Sequence, residues 1–194
     1  MTDETAILLK NVIIEGKNSN LRIASENDAE FILELRLNPT LNKFIGETDP
    51  SVEKQRQWIN RTYQNKNDFH FIIEDKNNVP WGTIAVYGID YKKCLAEWGR
   101  WITKPNTPIT VSIESAILVQ YFAYKKLNLK SLHGGANNLN WQVVNFHKMY
   151  ANVVSIDDTH TWFTFDIDNL KTLAKKYRKF HNIEAELNLA EFNK

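Results

Sequence analysis

The chain has 194 residues, a length typical of one domain and short for two, and 43% of them are hydrophobic, which is enough for a single core. Lys and Arg number 24 against 23 Asp and Glu, giving a formal net charge of +1. This balance excludes a strongly basic nucleic-acid-binding protein and an acidic disordered chain, because both carry a large net charge.

Hydrophobic periodicity and turn residues divide the chain into strands and helices. The longest predicted helix follows two prolines, Pro105 and Pro108, which interrupt the preceding strand. Ser25, with acidic residues just after it, has the pattern of a helix N-cap. In chain order the sequence predicts strands at 7–15 and 21–24, helices at 29–37 and 51–63, strands at 69–74, 81–89 and 92–103, a helix at 111–127, a strand at 130–136, a helix at 140–150, strands at 153–157 and 161–167, and a basic amphipathic helix at 170–180.

This order predicts the α/β fold class, with a mixed, mostly antiparallel central sheet and helices on both faces. The strand–helix–strand unit between Trp98 and Leu132 requires a parallel pair joined by a right-handed crossover. We expect one domain over residues 1–167, extended by a helical segment over 168–194. The apolar side of that segment would pack on the domain or on a second copy in a homodimer.

Five stretches of the sequence follow one another at a characteristic spacing. They are RIASENDAEFILELRLNP (22–39), SVEKQRQWI (51–59), WGTIAVYGIDYKKCLAEWGRWI (81–102), ESAILVQYFAYKKLNL (114–129) and NLNWQVVNFHKMY (138–150). Together they resemble the GNAT superfamily of acyl-CoA-dependent N-acyltransferases. The similarity is greatest to the branch that holds ribosomal-protein N-terminal acetyltransferases and the sugar-nucleotide acetyltransferases of the pseudaminic acid pathway. The resemblance implies a GNAT-like acyltransferase fold and direct transfer of an acetyl, or other short acyl, group from coenzyme A to a primary amine.

The stretch NTPITVS, residues 106–112, departs from the family pattern, which places a glycine-rich loop before the long helix. Pro108 and Thr110 stand at the expected glycines, and Thr107 stands at the usual basic position. Proline removes an N–H donor, yet hydroxyl groups at a helix N-terminus could still hold one phosphate. Three alternatives remain: altered binding of acetyl-CoA, an acyl-carrier-protein donor, or a non-catalytic binding protein. Thr110 and Ser112 could also be ordinary N-caps.

The resemblance also implies which residues contact the donor. Backbone groups of the strand before the loop and of the loop itself would bind the pantetheine and the pyrophosphate. An Asn amide, which donates and accepts, suits the peptide-like arm, although it also suits a helix N-cap. The donor-binding residues implied are Trp101, Ile102, Thr103, Thr107, Ile109, Thr110, Val111, Ser112 and Asn140.

Acyl transfer to an amine needs a base for the amine, donors for the oxyanion and an acid for the leaving thiolate. By the resemblance, Glu97 lies near the amine as the base. His147 takes the position of the general acid, and Tyr150, one turn further on, is the alternative acid. Structural alternatives are a surface Glu97 paired with Arg100 and a hydrogen-bonded, non-catalytic His147.

Acceptor recognition falls to the loop at 42–48 and to the third strand of the family fold. Arg36, Phe44 and Tyr87 are the candidate substrate-binding residues, and Arg36 could contact a nucleotide phosphate or simply pair with a nearby acid. We expect a small-molecule amine acceptor, in particular the amine of an amino-sugar nucleotide. A protein N-terminus or another small amine is the alternative.

Other sequence signals are weak. A single cysteine, Cys94, excludes a disulfide framework and favours a reducing compartment, and His70 has no partner at metal-ligand spacing, so we expect no metal. The basic stretch 175–179 is typical of a solvated helix face rather than of a nucleic-acid site. No apolar run reaches the roughly 18 residues that span a bilayer, and the first residues lack a signal-peptide pattern. These features predict a cytoplasmic protein without a membrane partner.

Overall fold

The computed structural model describes residues 7–187, and every structural statement below concerns that part of the chain. Its elements alternate largely as the periodicity predicts. The strands are β1 (Ile14–Glu15), β2 (Ser19–Ile23), β3 (Asp68–Asp75), β4 (Pro80–Asp90), β5 (Leu95–Thr103), β6 (Ser131–Asn137), β7 (Asn152–Ile156) and β8 (His160–Phe165). The α-helices are α1 (Ala29–Leu37), α2 (Val52–Gln64), α3 (Ile109–Tyr121), α4 (Trp141–Lys148) and α5 (Ile167–Lys176).

All eight strands form one sheet in the order β1-β2-β3-β4-β5-β6-β8-β7. Neighbouring strands are antiparallel except β5 and β6, which are parallel and joined through α3. The predicted α/β class and the mostly antiparallel mixed sheet are confirmed.

The parallel pairing of β5 and β6 is short. It runs from Leu95 opposite Ser131 to Glu97 opposite His133 and then stops. Beyond this point β6 pairs only with β8 and β5 only with β4, so an opening separates the two strands, which we call the β5–β6 gap. The strand backbones are still close where the gap begins, because a Cβ on Gly134 would lie 3.0 Å from the Trp98 carbonyl oxygen.

The sheet buries apolar side chains on both faces. Phe69 and Phe71 of β3 pack against α3 and the ring of Phe122, with centroids 5.1 and 5.2 Å apart. The intervening residues, His70 and Ile72, point to the opposite face, where α1 and α2 cover a smaller core. Residues buried in that smaller core are Ala24, Ala29, Ile32, Ile59 and Ile72.

The predicted first strand over 7–15 is wrong in extent, because only Ile14 and Glu15 pair with β2, and residues 7–9 form a helical turn. Lys10 fixes this segment instead. Its buried ammonium group donates hydrogen bonds to the carbonyl oxygens of Thr62, Asn65 and Asp68 at 2.8, 2.9 and 2.7 Å. A cation therefore caps the end of α2, where helix carbonyls lack intrahelical partners.

Glu114 of α3 is fully buried and has a structural role. Its carboxylate accepts hydrogen bonds from the backbone N–H groups of Lys17, Asn18 and Ser19 at 2.6, 2.6 and 2.8 Å. The turn between β1 and β2 is thereby fastened to the long helix. There is no room beside it for a larger residue at position 16, since a Cβ on Gly16 would lie 2.7 Å from this carboxyl group.

The C-terminal elements differ from the prediction in their bounds. The long helix changes at Phe122–Lys126 to a π-helical turn, and the last helix covers Ile167–Lys176 rather than 170–180. Buried Leu170 and Leu173 pack this helix on the main core. The division at residue 167 stays a prediction, and residues 188–194 of the predicted extension lie outside the described residues. Within 7–187 no helix has both the length and the hydropathy of a membrane span.

Candidate active site

Tyr87 and Glu97 lie opposite each other in the pairing of β4 with β5. The Tyr87 hydroxyl donates a short hydrogen bond to the Glu97 carboxylate. Burial, and then this hydrogen bond, raise the pKa of Tyr87 above its ordinary value. The phenol therefore keeps its proton at neutral pH and stays a donor to the carboxylate. These two residues form one unit, although the sequence suggested separate roles in base catalysis and acceptor binding.

A β-bulge follows directly in β5. The register moves from Ala85 opposite Gly99 to Thr83 opposite Ile102, so β5 holds one extra residue. Arg100 takes up the bulge with a left-handed φ of 49°. A left-handed backbone conformation costs free energy in a non-glycine residue, and residues strained in this way are often found at functional sites. Here the bulge turns the Arg100 side chain towards α1 and α2.

A cleft of about 450 Å³ lies between α1, α2 and the sheet, on the same face as Tyr87 and Glu97. We call it the α1–α2 cleft. Its size is within the range typical of small-molecule sites. Four cationic and two acidic side chains line it, namely Arg36, Lys54, Arg61, Arg100, Glu47 and Asp49.

The two arginines nearest the sheet differ in how their charge is balanced. Arg100 donates to both carboxylate oxygens of Asp68, at 2.8 and 3.0 Å, rather than pairing with Glu97. Its guanidinium also lies over the rings of Tyr87 and Trp58, 4.1 and 5.1 Å from their centroids. The Tyr87–Glu97 pair is thus connected to the wall of the cleft.

Arg36, in contrast, has only neutral partners. Its Nε donates to Thr48 Oγ1 at 2.9 Å, and no carboxylate of the described residues lies within salt-bridge distance. Burial, and then the charge of Arg100, lower the pKa of Arg36 from its ordinary value. The predicted alternative of a structural ion pair is therefore not what the described residues show, and the half-buried cation is left facing the cleft.

His147 and Tyr150 lie on the other face of the sheet, in and just after α4. The His147 ring is buried among Trp98, Phe163 and Phe165, and its centroid lies 5.2–5.3 Å from the centroids of these three rings. Burial lowers the pKa of His147 to about 4. A neutral imidazole is a weak proton donor, so burial argues against an imidazolium acid here, and the acid role stays a prediction.

Tyr150 is buried beside this ring. Its hydroxyl lies 3.4 Å from Nδ1 of His147 and accepts a hydrogen bond from Gln120 Nε2 at 3.1 Å. Burial raises the pKa of Tyr150. The two candidate acids are therefore adjacent and uncharged at neutral pH, and the general-acid role of Tyr150 is likewise a prediction.

Aromatic rings meet across the β5–β6 gap on this face. Trp101, from β5, contacts Phe146, from α4, with ring centroids 5.5 Å apart, and lies 5.9 Å from Trp98. The indole N–H groups of both tryptophans are buried without a hydrogen-bond partner among residues 7–187. Buried donors normally find an acceptor. Two such groups at the gap are suited to the carbonyl oxygens of an amide-containing arm.

The start of α3 retains anion-binding groups although the glycines are missing. Pro108 is the N-cap, so the predicted alternative of Thr110 and Ser112 as N-caps is wrong. The first helical N–H groups, at 109–111, precede the intrahelical bond from Ser112 to the Pro108 carbonyl and have no carbonyl four residues back within the helix. The Thr107 hydroxyl donates to the Lys104 carbonyl at 2.7 Å, which fixes the turn.

Asn140 is the N-cap of α4, but its side chain makes no capping hydrogen bond. The amide is half-buried and has no hydrogen-bond partner among the described residues. An N-cap side chain normally accepts an N–H of the first turn. The free amide therefore fits a ligand contact better than a purely structural role.

The structure thus brings Glu97 to Tyr87 and His147 to Tyr150, and it places Arg36 in the cleft. Phe44 lies outside the cleft lining, in the turn Asn42–Phe44. The sequence predicts no functional role for Trp58, His70 and Arg100, which also line the cleft, or for Asp68, the partner of Arg100. The only sequence signal for these residues is the alternation of side chains along a strand. It places His70 on the face covered by α1 and α2, but it does not predict which residues His70 contacts. Within residues 7–187 no three His, Cys, Asp or Glu side chains are grouped closely enough to hold a metal ion.

Comparison with known proteins agrees with this geometry. The family described as "Acetyltransferase (GNAT) domain" matches residues 19–150. FdhC in its apo form, described as a nucleotide-linked sugar GNAT, is 29% identical with a TM-score of 0.78, and the match covers 89% of this chain and 99% of FdhC. No curated protein matched the sequence.

Two more distant structures share the fold. A spermidine N-acetyltransferase from Vibrio cholerae, in complex with CoA and spermine, is 16% identical with a TM-score of 0.69, covering 78% of this chain and 98% of its own. A Vibrio cholerae protein provisionally assigned as a ribosomal-protein-serine acetyltransferase is 17% identical with a TM-score of 0.68, covering 81% and 98%. The family match spans well over half of the sequence, and both the β5–β6 gap and the bulge lie within the matched residues. This chain belongs to the GNAT acetyltransferase family and is an N-acetyltransferase.

Proposed function

We propose that the protein transfers an acetyl group from acetyl-CoA to the primary amine of an amino-sugar nucleotide. The observation that carries the choice of acceptor is Arg36, a half-buried cation that has no carboxylate partner among residues 7–187, in a cleft beside the Tyr87–Glu97 pair. A guanidinium in this state is suited to a phosphate. The 29% identity to FdhC, a nucleotide-linked sugar GNAT, supports the same class.

On the cleft face, the chain's own groups bind and deprotonate the acceptor. Arg36 holds a phosphate oxygen of the nucleotide, and the cationic wall of the cleft favours the negative charge. Glu97 accepts a proton from the amine as the new C–N bond forms. Tyr87 keeps the carboxylate oriented through its hydrogen bond, and Arg100 anchors Tyr87 by stacking on its ring.

On the opposite face, the chain offers donor-binding groups in three places. The N–H groups at the start of α3 lack intrahelical acceptors and suit phosphate oxygens, and the Asn140 amide and the two indole N–H groups suit the amide-bearing arm. Acetyl-CoA supplies the activated acetyl thioester. Trp101 and Phe146 must separate to admit the arm, since their rings are in contact across the gap.

The experiment is a thiol-release assay with a panel of amines: an amino-sugar nucleotide, the same amino sugar without the nucleotide, spermidine and a short peptide. We expect the amino-sugar nucleotide to have a kcat/KM at least tenfold above the others. Arg36→Gln should raise KM for the nucleotide-linked acceptor about 10-fold or more, in line with a hydrogen bond to a charged group. It should leave the free amino sugar unaffected.

Lys43→Gln is the matched control, because Lys43 is an exposed cation on the neighbouring turn and does not line the cleft. Equal rates for the free and the nucleotide-linked sugar would refute the proposed acceptor. Absence of coenzyme A release with every amine would favour the carrier-protein or non-catalytic alternatives.

A further inference from the structure

His70 is a buried polar residue whose ring nitrogens find no hydrogen-bond partner in the described part of the chain. It lies in the middle of β3, its side chain is part of the cleft lining, and the residue is only 5% exposed. Neither Nδ1 nor Nε2 has a hydrogen-bond partner among residues 7–187. The edge of the ring meets Trp58 of α2, with centroids 5.2 Å apart. A buried imidazole with both nitrogens unpaired costs free energy, and the cost persists only where something compensates it.

The surroundings of His70 decide its charge. Burial, and then the charges of Arg100 and Arg36, lower the pKa of His70 to about 3, and the charge of Asp28 opposes them weakly. The ring is therefore neutral throughout the physiological range. It cannot serve as a second phosphate-binding cation, and it is too weak a base to take the amine proton.

A neutral imidazole offers one N–H donor and one lone-pair acceptor. Phosphate and carboxylate groups only accept, and an ammonium group only donates, so each of them can pair with only one of the two nitrogens. A hydroxyl group both donates and accepts, so it can pair with whichever nitrogen faces it. The cleft already holds cations for the anionic part of an acceptor, which leaves the neutral, hydroxyl-bearing part for the floor where His70 lies.

We infer that His70 is a specificity-determining residue that recognises a hydroxyl group of the acceptor's sugar ring at the floor of the α1–α2 cleft. The inference rests on the proposed function for its choice of acceptor. It assigns to one buried side chain the discrimination between sugars that carry the hydroxyl and sugars that lack it. Sites that hydrogen-bond a substrate hydroxyl reject analogues without it strongly, because the site's own polar group is then left unpaired.

The test combines a substitution in the protein with a deletion in the substrate. His70→Phe keeps a planar ring of similar size and removes both nitrogens. The acceptors are an amino-sugar nucleotide and its deoxy analogues, each lacking one hydroxyl. For wild type, we expect one deoxy analogue to lose about 10- to 100-fold in kcat/KM, the range of an unpaired buried polar group. For His70→Phe, we expect a similar loss with the full acceptor and no further loss with that analogue.

Two further readouts separate recognition from structure. Calorimetric titration of the acceptor in the absence of acetyl-CoA should show the same loss of affinity in His70→Phe. Thermal unfolding should show a Tm equal to or above that of wild type, because the substitution removes an unsatisfied polar group. His160→Phe is the control, since His160 lies on β8 outside the cleft lining, and it should leave acceptor selectivity unchanged.

The outcomes separate the two proposals. If wild type acetylates the acceptor but every deoxy penalty is as large in His70→Phe as in wild type, the role of His70 is overturned and the proposed function stands. If wild type neither binds nor acetylates any amino-sugar nucleotide, the proposed function fails and the inference fails with it.

Discussion

The Tyr87 hydroxyl of β4 donates its hydrogen bond directly to the Glu97 carboxylate of β5, at the position where the pairing of β5 with β6 ends. The bond fixes the orientation of the carboxylate. Both residues are held opposite each other by the register of β4 and β5. This pair is therefore the part of the site with the most direct consequence for removal of the amine proton.

Tyr87→Phe should lower kcat/KM by about 10-fold, because the hydrogen bond that orients the Glu97 carboxylate is lost. The maximal rate should fall less than in Glu97→Gln. Glu97→Gln should lower kcat/KM by about 10²- to 10³-fold at neutral pH, the usual contribution of a general base, and by less at high pH, where the amine is already deprotonated. A pH-independent loss in Glu97→Gln would contradict its role as base.

The lowered pKa of His147 predicts that the free energy of unfolding depends on pH. This pKa is about 4 in the folded protein and 6.5 ordinarily, so the unfolded chain binds the extra proton between these values. Folding stability should therefore fall as pH falls from about 6.5 towards 4, by up to about 3 kcal/mol from this residue. His147→Phe should remove that part of the slope in urea unfolding at pH 7, 6, 5 and 4.

The same variant addresses catalysis. We expect His147→Phe to keep its fold at neutral pH and to lower turnover. Tyr150 keeps its hydrogen bond from Gln120 in this variant, so the fold near α4 should be little disturbed. Unchanged thiol release from a folded His147→Phe protein would reject the general-acid role of His147.

The anchoring of the β1–β2 turn predicts a sharp difference between two glycines. In Gly16→Ala the new methyl group would lie 2.7 Å from the Glu114 carboxyl and 2.8 Å from Leu118 Cδ1. Glu114 cannot retreat without losing its backbone hydrogen bonds, so we expect a loss of about 1–3 kcal/mol in the free energy of unfolding, as for overpacking. Gly46→Ala is the control, because nothing lies within 4 Å of its new methyl group. Equal urea midpoints for the two variants would show that the turn is not held as described.

Asn140 and Ser51 are both N-caps, and the structure distinguishes them. Ser51 accepts a hydrogen bond from the Lys54 N–H at 3.3 Å, whereas the Asn140 side chain makes none. Ser51→Ala should cost about 1 kcal/mol of stability and leave KM for acetyl-CoA unchanged. Asn140→Ala should raise KM for acetyl-CoA about 3- to 10-fold, as expected for one hydrogen bond, with little change in Tm. A large drop in Tm without a change in KM would assign Asn140 to the helix alone.

Much of the architecture could be predicted from sequence because the signals are local. The apolar run at 69–74 is bounded by polar turns, and Pro105 and Pro108 separate β5 from the long helix. The residues 7–15 mislead because they are β-branched, yet Lys10 fixes them through carbonyl groups 52 to 58 positions away. Propensity carries no information about such distant partners.

The site was less predictable than the fold. The family resemblance placed Glu97 and Tyr87 correctly on adjoining strands, but their direct hydrogen bond depends on the register of β4 and β5. Arg100 binds Asp68, 32 positions away, only because a bulge turns its side chain. The unpaired state of His70 is a property of its packing and has no sequence signature.

Glu97 and Trp98 are consecutive in β5, yet one meets Tyr87 on the cleft face and the other meets His147 on the opposite face. With the proposed function, the acetyl donor and the amine therefore bind on opposite faces of the sheet and meet only at the β5–β6 gap. Both reactants can be bound at the same time, so we expect the reaction to proceed through a ternary complex. Double-reciprocal plots of initial velocity should then give intersecting lines. Coenzyme A should then compete with acetyl-CoA but not with the amine, because coenzyme A occupies only the site where acetyl-CoA binds.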